Sequence, residues 1–313
     1  MVSTDGVLIG FKKVGPLNYE VLPGGFQQLE NEMKTIIDEM ITSNNLKPEN
    51  LQKGVFGMAG VDTVWQHQTI SKILKRCGID NFILCNDAFL PIKAVSKTGW
   101  GICSINGTGC VNAGIDPAGR MLQIGGCGEL TGDKGGGGYL GRIAVGAVYT
   151  HFYKSTPSTI LKDLLFSHLG ITDDEELLET VSEKLETEDL ILSDLNRLLF
   201  EAAALGDSVA QEILRESGED GAVSAFNLIK RLDFPLEEAV DVVLAGSVYV
   251  KGEHDILVSS FKTKLNELIE RRKVNVTVAN KPPVMGAVVW ALEEYMSSVE
   301  AIEKISFQFN GLT

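Results

Sequence analysis

Apolar positions along the chain follow two rhythms. Phe26, Leu29, Met33, Ile36, Ile37, Met40 and Ile41 recur every three or four residues, which predicts an amphipathic helix over 26–43. Short unbroken apolar runs at 54–57 and 82–85 read as buried strands, and helical spacing returns at 63–75 and 88–96. Ahead of these, Val7–Phe11 follows an Asp5-Gly6 turn and reads as a strand, with Tyr19–Leu22 as a second, weaker one. Residues 7–97 therefore spell β-β-α-β-α-β-α.

From Trp100 the pattern restarts. Runs at 101–105 and 111–115 predict two strands joined by the turn Asn106-Gly107-Thr108-Gly109, and residues 121–124 a third strand after the turn Asp116-Pro117-Ala118-Gly119. A helix is expected over 139–153, then a purely helical stretch of about 158–231 with helices near 158–168, 174–185, 188–204 and 208–231. Strands at 241–245 and 275–279 alternate with helices at 255–271 and 284–296.

The two halves repeat one order of elements. The second is a complete βββαβαβα unit with a helical insert, and the first lacks the opening strand of its meander, because only six residues precede Val7. Two such units resemble the actin/hexokinase-type architecture. The expected fold class is therefore α/β, with two ribonuclease H-like domains at 1–98 and 99–313 and a nucleotide cleft between them.

Composition narrows the function classes. The 313 residues are 44% hydrophobic and 22% charged, which excludes a disordered chain. No apolar stretch approaches the roughly 20 residues of a membrane span. With 28 Lys and Arg against 42 Asp and Glu the formal charge is −14, which argues against a nucleic-acid partner. The five cysteines and four histidines show no CxxC, HExxH or zinc spacing, so no protein metal ligand is singled out. The N-terminal residues carry no signal-peptide pattern, and a reducing cytoplasm is the expected compartment.

Four places could carry chemistry. Glycines around Thr108 let backbone N–H groups converge on an anion, although an ordinary glycine-rich hairpin has the same sequence. Asn86-Asp87 follows a strand, where a carboxylate could accept a hydroxyl proton or simply cap the helix expected from Ala88. The run Gly125–Tyr139 holds eight glycines in fifteen residues, with Asp133 inside it, and predicts close approach to a ligand rather than a linker. Finally, Val242–Ala245 runs into Gly246-Ser247, where a flat ring could lie on the backbone, or the chain could merely turn. The acidic runs 173–176 and 183–189 read as solvated helix faces.

Taken in order, Val55-Phe56-Gly57-Met58-Ala59-Gly60-Val61, Cys85-Asn86-Asp87, Gly107-Thr108-Gly109 and Gly125–Gly141 resemble the N-acetylglucosamine kinases and their BadF/BadG-type ATPase relatives. Ala245-Gly246-Ser247-Val248 and Pro282-Pro283-Val284-Met285-Gly286-Ala287 fit the same group. The resemblance implies transfer of the γ-phosphate of ATP, with Mg²⁺, to a sugar hydroxyl. It assigns Asp87 as general base and Gly107, Thr108 and Gly109 to the phosphates. Gly246 and Ser247 would border adenosine, and Asn18, Asn86, Gly126, Cys127 and Asp133 would lie at the sugar. It further implies a small-molecule sugar substrate and a homodimer.

Three departures accompany the resemblance. The family opens with a strand and a first phosphate loop, and this sequence begins after that point; the favoured expectation is a start at an internal Met, against a shortened relative. Gly126-Cys127-Gly128 stands where these kinases often carry Gly-Gly-Trp-Gly, and Gly132-Asp133-Lys134-Gly135-Gly136 where they often carry Gly-Asp-Glu-Gly-Ser. The first bears on activity and the other two on the identity of the sugar. Two alternatives stand beside the kinase. One is a BadF-type activator of a 2-hydroxyacyl-CoA dehydratase, which would need cysteines for a shared [4Fe–4S] cluster; the other is a non-catalytic sugar-binding relative. ROK-type kinases are disfavoured, because their Cys-rich zinc motif is absent.

Overall fold

The computed structural model describes residues 1–155, 157–295 and 298–309. The chain divides into two units, one of residues 1–99 with 281–313 and the other of residues 100–280. The sequence expectation ran the second domain on to residue 313; the chain instead returns to the first unit at Lys281.

The first unit opens with α1 (Gly25–Ser43), then β1 (Gly54–Gly57), α2 (Val64–Arg76), β2 (Phe82–Cys85) and α3 (Leu90–Val95). β1 and β2 pair in parallel, Gly54 opposite Phe82 through Gly57 opposite Cys85. Leu29, Met33, Ile70, Ile73 and Leu74 bury the facing stripes of α1 and α2 together with Leu84 of β2. α2 starts where Thr63 caps it: the Thr63 hydroxyl accepts from the Gln66 amide while the Gln66 side chain reaches back to the Thr63 amide.

The strands expected at Val7–Phe11 and Tyr19–Leu22 do not form. A strand exists only where a neighbour takes its backbone groups, and here those groups have other partners. The Val7 amide donates to the Ser3 hydroxyl, Leu8 to the Gln308 side chain and Ile9 to the Met1 carbonyl, leaving a single antiparallel bridge between Val2 and Leu8. At 19–22 the amides of Val21 and Leu22 both turn back to the Asn18 carbonyl. The meander of the repeat is therefore present, among the described residues, in the second unit alone.

In the second unit β3 (Gly101–Asn106), β4 (Cys110–Ile115) and β5 (Met121–Gly125) form that meander. Helices follow: α4 (Gly137–Lys154), α5 (Leu161–Leu169), α6 (Leu177–Glu186), α7 (Asn196–Ala204) and α8 (Ser208–Arg231), the last four forming the insert. β6 (Val240–Ala245), the short α9 (Ser247–Lys251), α10 (Ile256–Leu268) and β7 (Val274–Val278) complete it. The sheet order is β5-β4-β3-β6-β7, with β3 parallel to β6, β6 parallel to β7, and the β3-β4-β5 ribbon antiparallel. Ile102, Val242 and Leu244 of the sheet share one core with Leu140, Leu228 and the fully buried Phe261. The meander gives the sheet its Gly-rich hairpin, and the parallel strands bring Gly246 to the same end.

The chain then re-enters the first unit through α11 (Pro283–Glu294) and α12 (Val299–Phe309), which bury Met285, Val289, Ile305 and Phe309 with Ala94 of α3. The apolar spacing of α12 was not among the elements expected. No helix among the described residues is long and apolar enough to cross a membrane.

Candidate functional site

In the first unit, the expected positions Asn18 and Asn86 fall into one hydrogen-bonded network, and Asp87 lies next to it in the chain. Asn86, at the carboxyl end of β2, caps a tight turn over Asp87–Phe89: its Oδ1 accepts from the Ala88 amide at 2.9 Å. The capping role weighed for Asp87 thus falls to its neighbour. Asn86 is 4% exposed, and its Nδ2 donates to Asp62 Oδ1 at 2.9 Å. Both functional groups of Asn86 are engaged inside the protein, which sets it behind Asp87 as a support.

Asp62 directly precedes the α2 cap, and its amide donates to Gln66 Oε1 at 2.9 Å. Gln66 Nε2 in turn donates to the Tyr19 hydroxyl at 2.6 Å, and that hydroxyl donates to Glu20. Asn18 belongs to the same turn: its Oδ1 accepts from the Glu20 amide at 3.0 Å and its Nδ2 donates to Glu20 at 3.3 Å. Asn18 and Asn86 are therefore linked through Glu20, Tyr19, Gln66 and Asp62, and Asp87 follows Asn86 in the chain. Sequence reasoning missed these four; the Thr63–Gln66 capping spacing was the signal that could have located Asp62.

Asp87 is half-buried at the carboxyl end of a parallel strand. Burial, and then the negative charge of Asp62, hold its carboxyl above the usual carboxylate range, against the pull of the Asp87 and Ala88 amides. Such a group is suited to taking a proton from a bound hydroxyl.

In the second unit the hairpin and the Gly-rich run are packed on one another. The Gly137 amide donates to the Gly107 carbonyl at 2.7 Å, Gly138 to the Thr108 carbonyl at 3.2 Å, and Gly136 to Asn106 Oδ1 at 2.8 Å. Asn106 is buried and donates from Nδ2 to Ser217 of α8 at 3.2 Å. Gly136 has φ +87°, and a Cβ there would stand 2.6 Å from the Gly109 backbone. These contacts require glycine at Gly136. They leave the amides of Thr108 and Gly109 and the Thr108 hydroxyl, all at an exposed tip, without a partner among the described residues. That tip is a ready anion cradle.

Gly246 joins the same structure. Its φ is +92°, and a Cβ would meet the Asn106 carbonyl oxygen at 2.3 Å, so β6 can turn beside the hairpin only with glycine there. The close approach of the hairpin by itself requires the glycine. Ser247 follows, exposed, on the rim of a cavity of about 270 Å³ lined also by Ser193, Asn196, Arg197 and Lys251.

Asp133 folds its own loop: its Oδ2 accepts from the amides of Gly126 at 2.9 Å and Gly128 at 3.0 Å. Gly126 and the exposed Cys127 are thus held around it. Asp220 of α8 accepts from the Lys134 amide at 3.3 Å, and burial, helped weakly by the charge of Asp133, raises its carboxyl against the pull of the Lys134 amide and ammonium. Burial beside these two carboxylates pushes the Cys110 thiol up to about 12. Asp220 was not foreseen, though Gly218 and Gly221 within α8 mark a helix that must pack closely: a Cβ at Gly218 would meet the Leu257 carbonyl at 2.3 Å. No three His, Cys, Asp or Glu side chains among the described residues gather as a metal site.

Residues 2–291 match the BadF/BadG/BcrA/BcrD ATPase family. The chain is 27% identical over 294 residues to an N-acetylmuramic acid/N-acetylglucosamine kinase of Clostridium acetobutylicum, covering 90% of this chain and 94% of the relative. It is 27% identical over 260 residues to an N-acetyl-D-glucosamine kinase of Dictyostelium discoideum, covering 82% and 80%. Its fold is similar to that of a ROK family glucokinase from Streptomyces griseus, solved with glucose and AMPPNP, with TM-score 0.56, 18% identity and 93% of each chain covered.

Proposed function

Because the chain belongs to the BadF/BadG/BcrA/BcrD ATPase family, we propose that it is an ATP-dependent sugar kinase acting on N-acetylglucosamine or a related amino sugar. The observation that carries the proposal is Asp87, a half-buried carboxylate raised by burial and by Asp62 at the end of β2. In the proposed reaction the sugar hydroxyl oxygen attacks the γ-phosphorus of ATP. Asp87 takes the hydroxyl proton, the bond from the γ-phosphorus to the β,γ-bridging oxygen breaks, and ADP leaves. Asn18 contributes to holding the sugar, with Asp133, Gly126 and Cys127 as further contacts, while Asn86 holds the turn beneath the base. The free amides of Thr108 and Gly109 and the Thr108 hydroxyl would take phosphate oxygens, and Gly246 with Ser247 would border the nucleoside.

Mg²⁺ enters this proposal on ATP. It would take most of its ligands from phosphate and water. It would supply charge neutralisation on the phosphates. The amino-sugar substrate is supported by the names of the two relatives, and a cytoplasmic homodimer is proposed with it.

The test is ADP release from Mg·ATP across N-acetylglucosamine, N-acetylmannosamine, glucosamine and glucose. A sugar-dependent rate is expected, reduced by about 10²–10⁴-fold in Asp87→Asn. Binding of a sugar without turnover would replace the kinase with a non-catalytic binding protein.

A further inference from the structure

The loop that carries Asp62 is fixed by α2 and not by Asp87. The Gln66 side chain takes the amides of both Asp62 and Thr63, so Asp62 is anchored to the first turn of a 13-residue helix. From there its carboxylate reaches the Asn86 amide at 2.9 Å, next to the turn that carries the base. We propose that Asp62 is a positioning residue for Asp87, acting through Asn86; the proposal rests on the kinase reading above.

The chemistry of the amide explains the mechanism. A side-chain amide has a donor end and an acceptor end of nearly equal shape, and its partners decide which way it points. An ionised carboxylate only accepts, so Asp62 draws Nδ2 to itself and turns Oδ1 toward the Ala88 amide. That second bond holds the turn over Asp87–Phe89. Without Asp62, Asn86 loses the partner that orients it, and the base loses its fixed direction.

The charge acts as well. Two carboxylates placed near one another oppose each other's ionisation, and Asp62 is the acidic group that acts on Asp87. Other titratable groups lie around the turn. The Cys85 thiol, pushed up to about 12 by burial and by Asp87, stays neutral near pH 7. The His67 ring lies 3.2 Å from the Leu84 carbonyl, and Lys93 of α3 pairs with Glu293 of α11. A carboxylate whose only task was to accept from Asn86 could be replaced by a neutral acceptor without changing the base.

Two variants separate the roles. Asp62→Asn retains an acceptor for Asn86 and removes the charge; Asp62→Ala removes both. We expect kcat to fall about 10–100-fold in Asp62→Ala, with the KM for sugar moved far less. In Asp62→Asn we expect a smaller fall in kcat than in Asp62→Ala, with the acid limb of kcat/KM displaced to lower pH because the base becomes easier to ionise. The Asp87 carboxyl is followed in parallel by ¹³C NMR, its resonance identified by its loss in Asp87→Asn. Its midpoint should drop in Asp62→Asn.

Wild-type kcat and an unmoved acid limb in both variants, with only the melting temperature lowered, would overturn the proposal and leave Asp62 a structural residue. An unmoved ¹³C midpoint in Asp62→Asn would overturn it too. If the wild-type protein turns over no sugar, the kinase reading fails. The ¹³C titration and the exchange rate of the Ala88 amide in Asp62→Ala then still decide whether Asp62 holds the turn.

Discussion

Asp87 is held in a state the fold does not favour, and this has a consequence for stability. Its carboxyl is raised by burial and by the Asp62 charge, so the folded protein binds its proton more tightly than the unfolded chain does. Stability linked to this group is fully present below the unfolded pKa of about 3.9. It is lost as pH rises through the folded value, because ionisation then burdens the folded state alone. Asp87→Asn should therefore melt at a higher temperature than wild type at pH 7, with the difference shrinking toward pH 4. Calorimetry over that range checks it; equal melting temperatures throughout would show that the folded carboxyl is not raised. The residue that supports catalysis would then be one that the fold tolerates at a cost.

At the scale of elements, the hairpin, the start of α4 and the turn after β6 act as one backbone assembly. Amides at the start of α4 donate to carbonyls of the hairpin, and a methyl group at Gly246 would stand 2.3 Å from the Asn106 oxygen. Gly246→Ala should cost about 1–3 kcal/mol through positive φ alone, with the clash added. Denaturant midpoints measure that loss. In the kinase assay the same substitution should raise the KM for ATP more than the KM for sugar, since Gly246 stands with the hairpin and far along the chain from Asp87. An unchanged KM for ATP would separate this assembly from nucleotide binding.

For the whole molecule, the two units differ in how their sheets are buried. Among the described residues β1 pairs with β2 alone, and its residues are half-buried, whereas β3 and β6 lie inside a five-stranded sheet and are almost entirely buried. Amides of β1 should exchange with deuterium well before those of β3 and β6, since local opening follows the contacts that must be broken. Phe261, fully buried between α10 and the core of the second unit, should cost about 3–5 kcal/mol on truncation to Ala. The loss should be read first in the exchange of β3 and β6; equal exchange across both units would point to one cooperative core.

The order of elements from α1 to β7, the short α9 apart, was legible in the sequence because periodicity is local: the apolar spacing of α1, α2 and α8 and the unbroken runs of β1, β2 and β6 each follow from neighbouring residues. The Gly107-Thr108-Gly109 turn and Asn86-Asp87 were legible for the same reason, as punctuation at strand ends. Where a backbone finds its partner is not local. Val7–Phe11 has the composition of a strand, yet its amides went to Ser3, Gln308 and Met1. Nor could spacing show that α11 returns to pack on α3, that Gly136 is glycine for the sake of the hairpin, or that Asp62 and Asp220 stand beside Asp87 and Asp133. The sequence by itself determined the elements and the residue types able to hold phosphate and move a proton. Only the tertiary structure decided which backbone groups stay free and which carboxylates are forced together, because burial and pairing are set by residues distant along the chain.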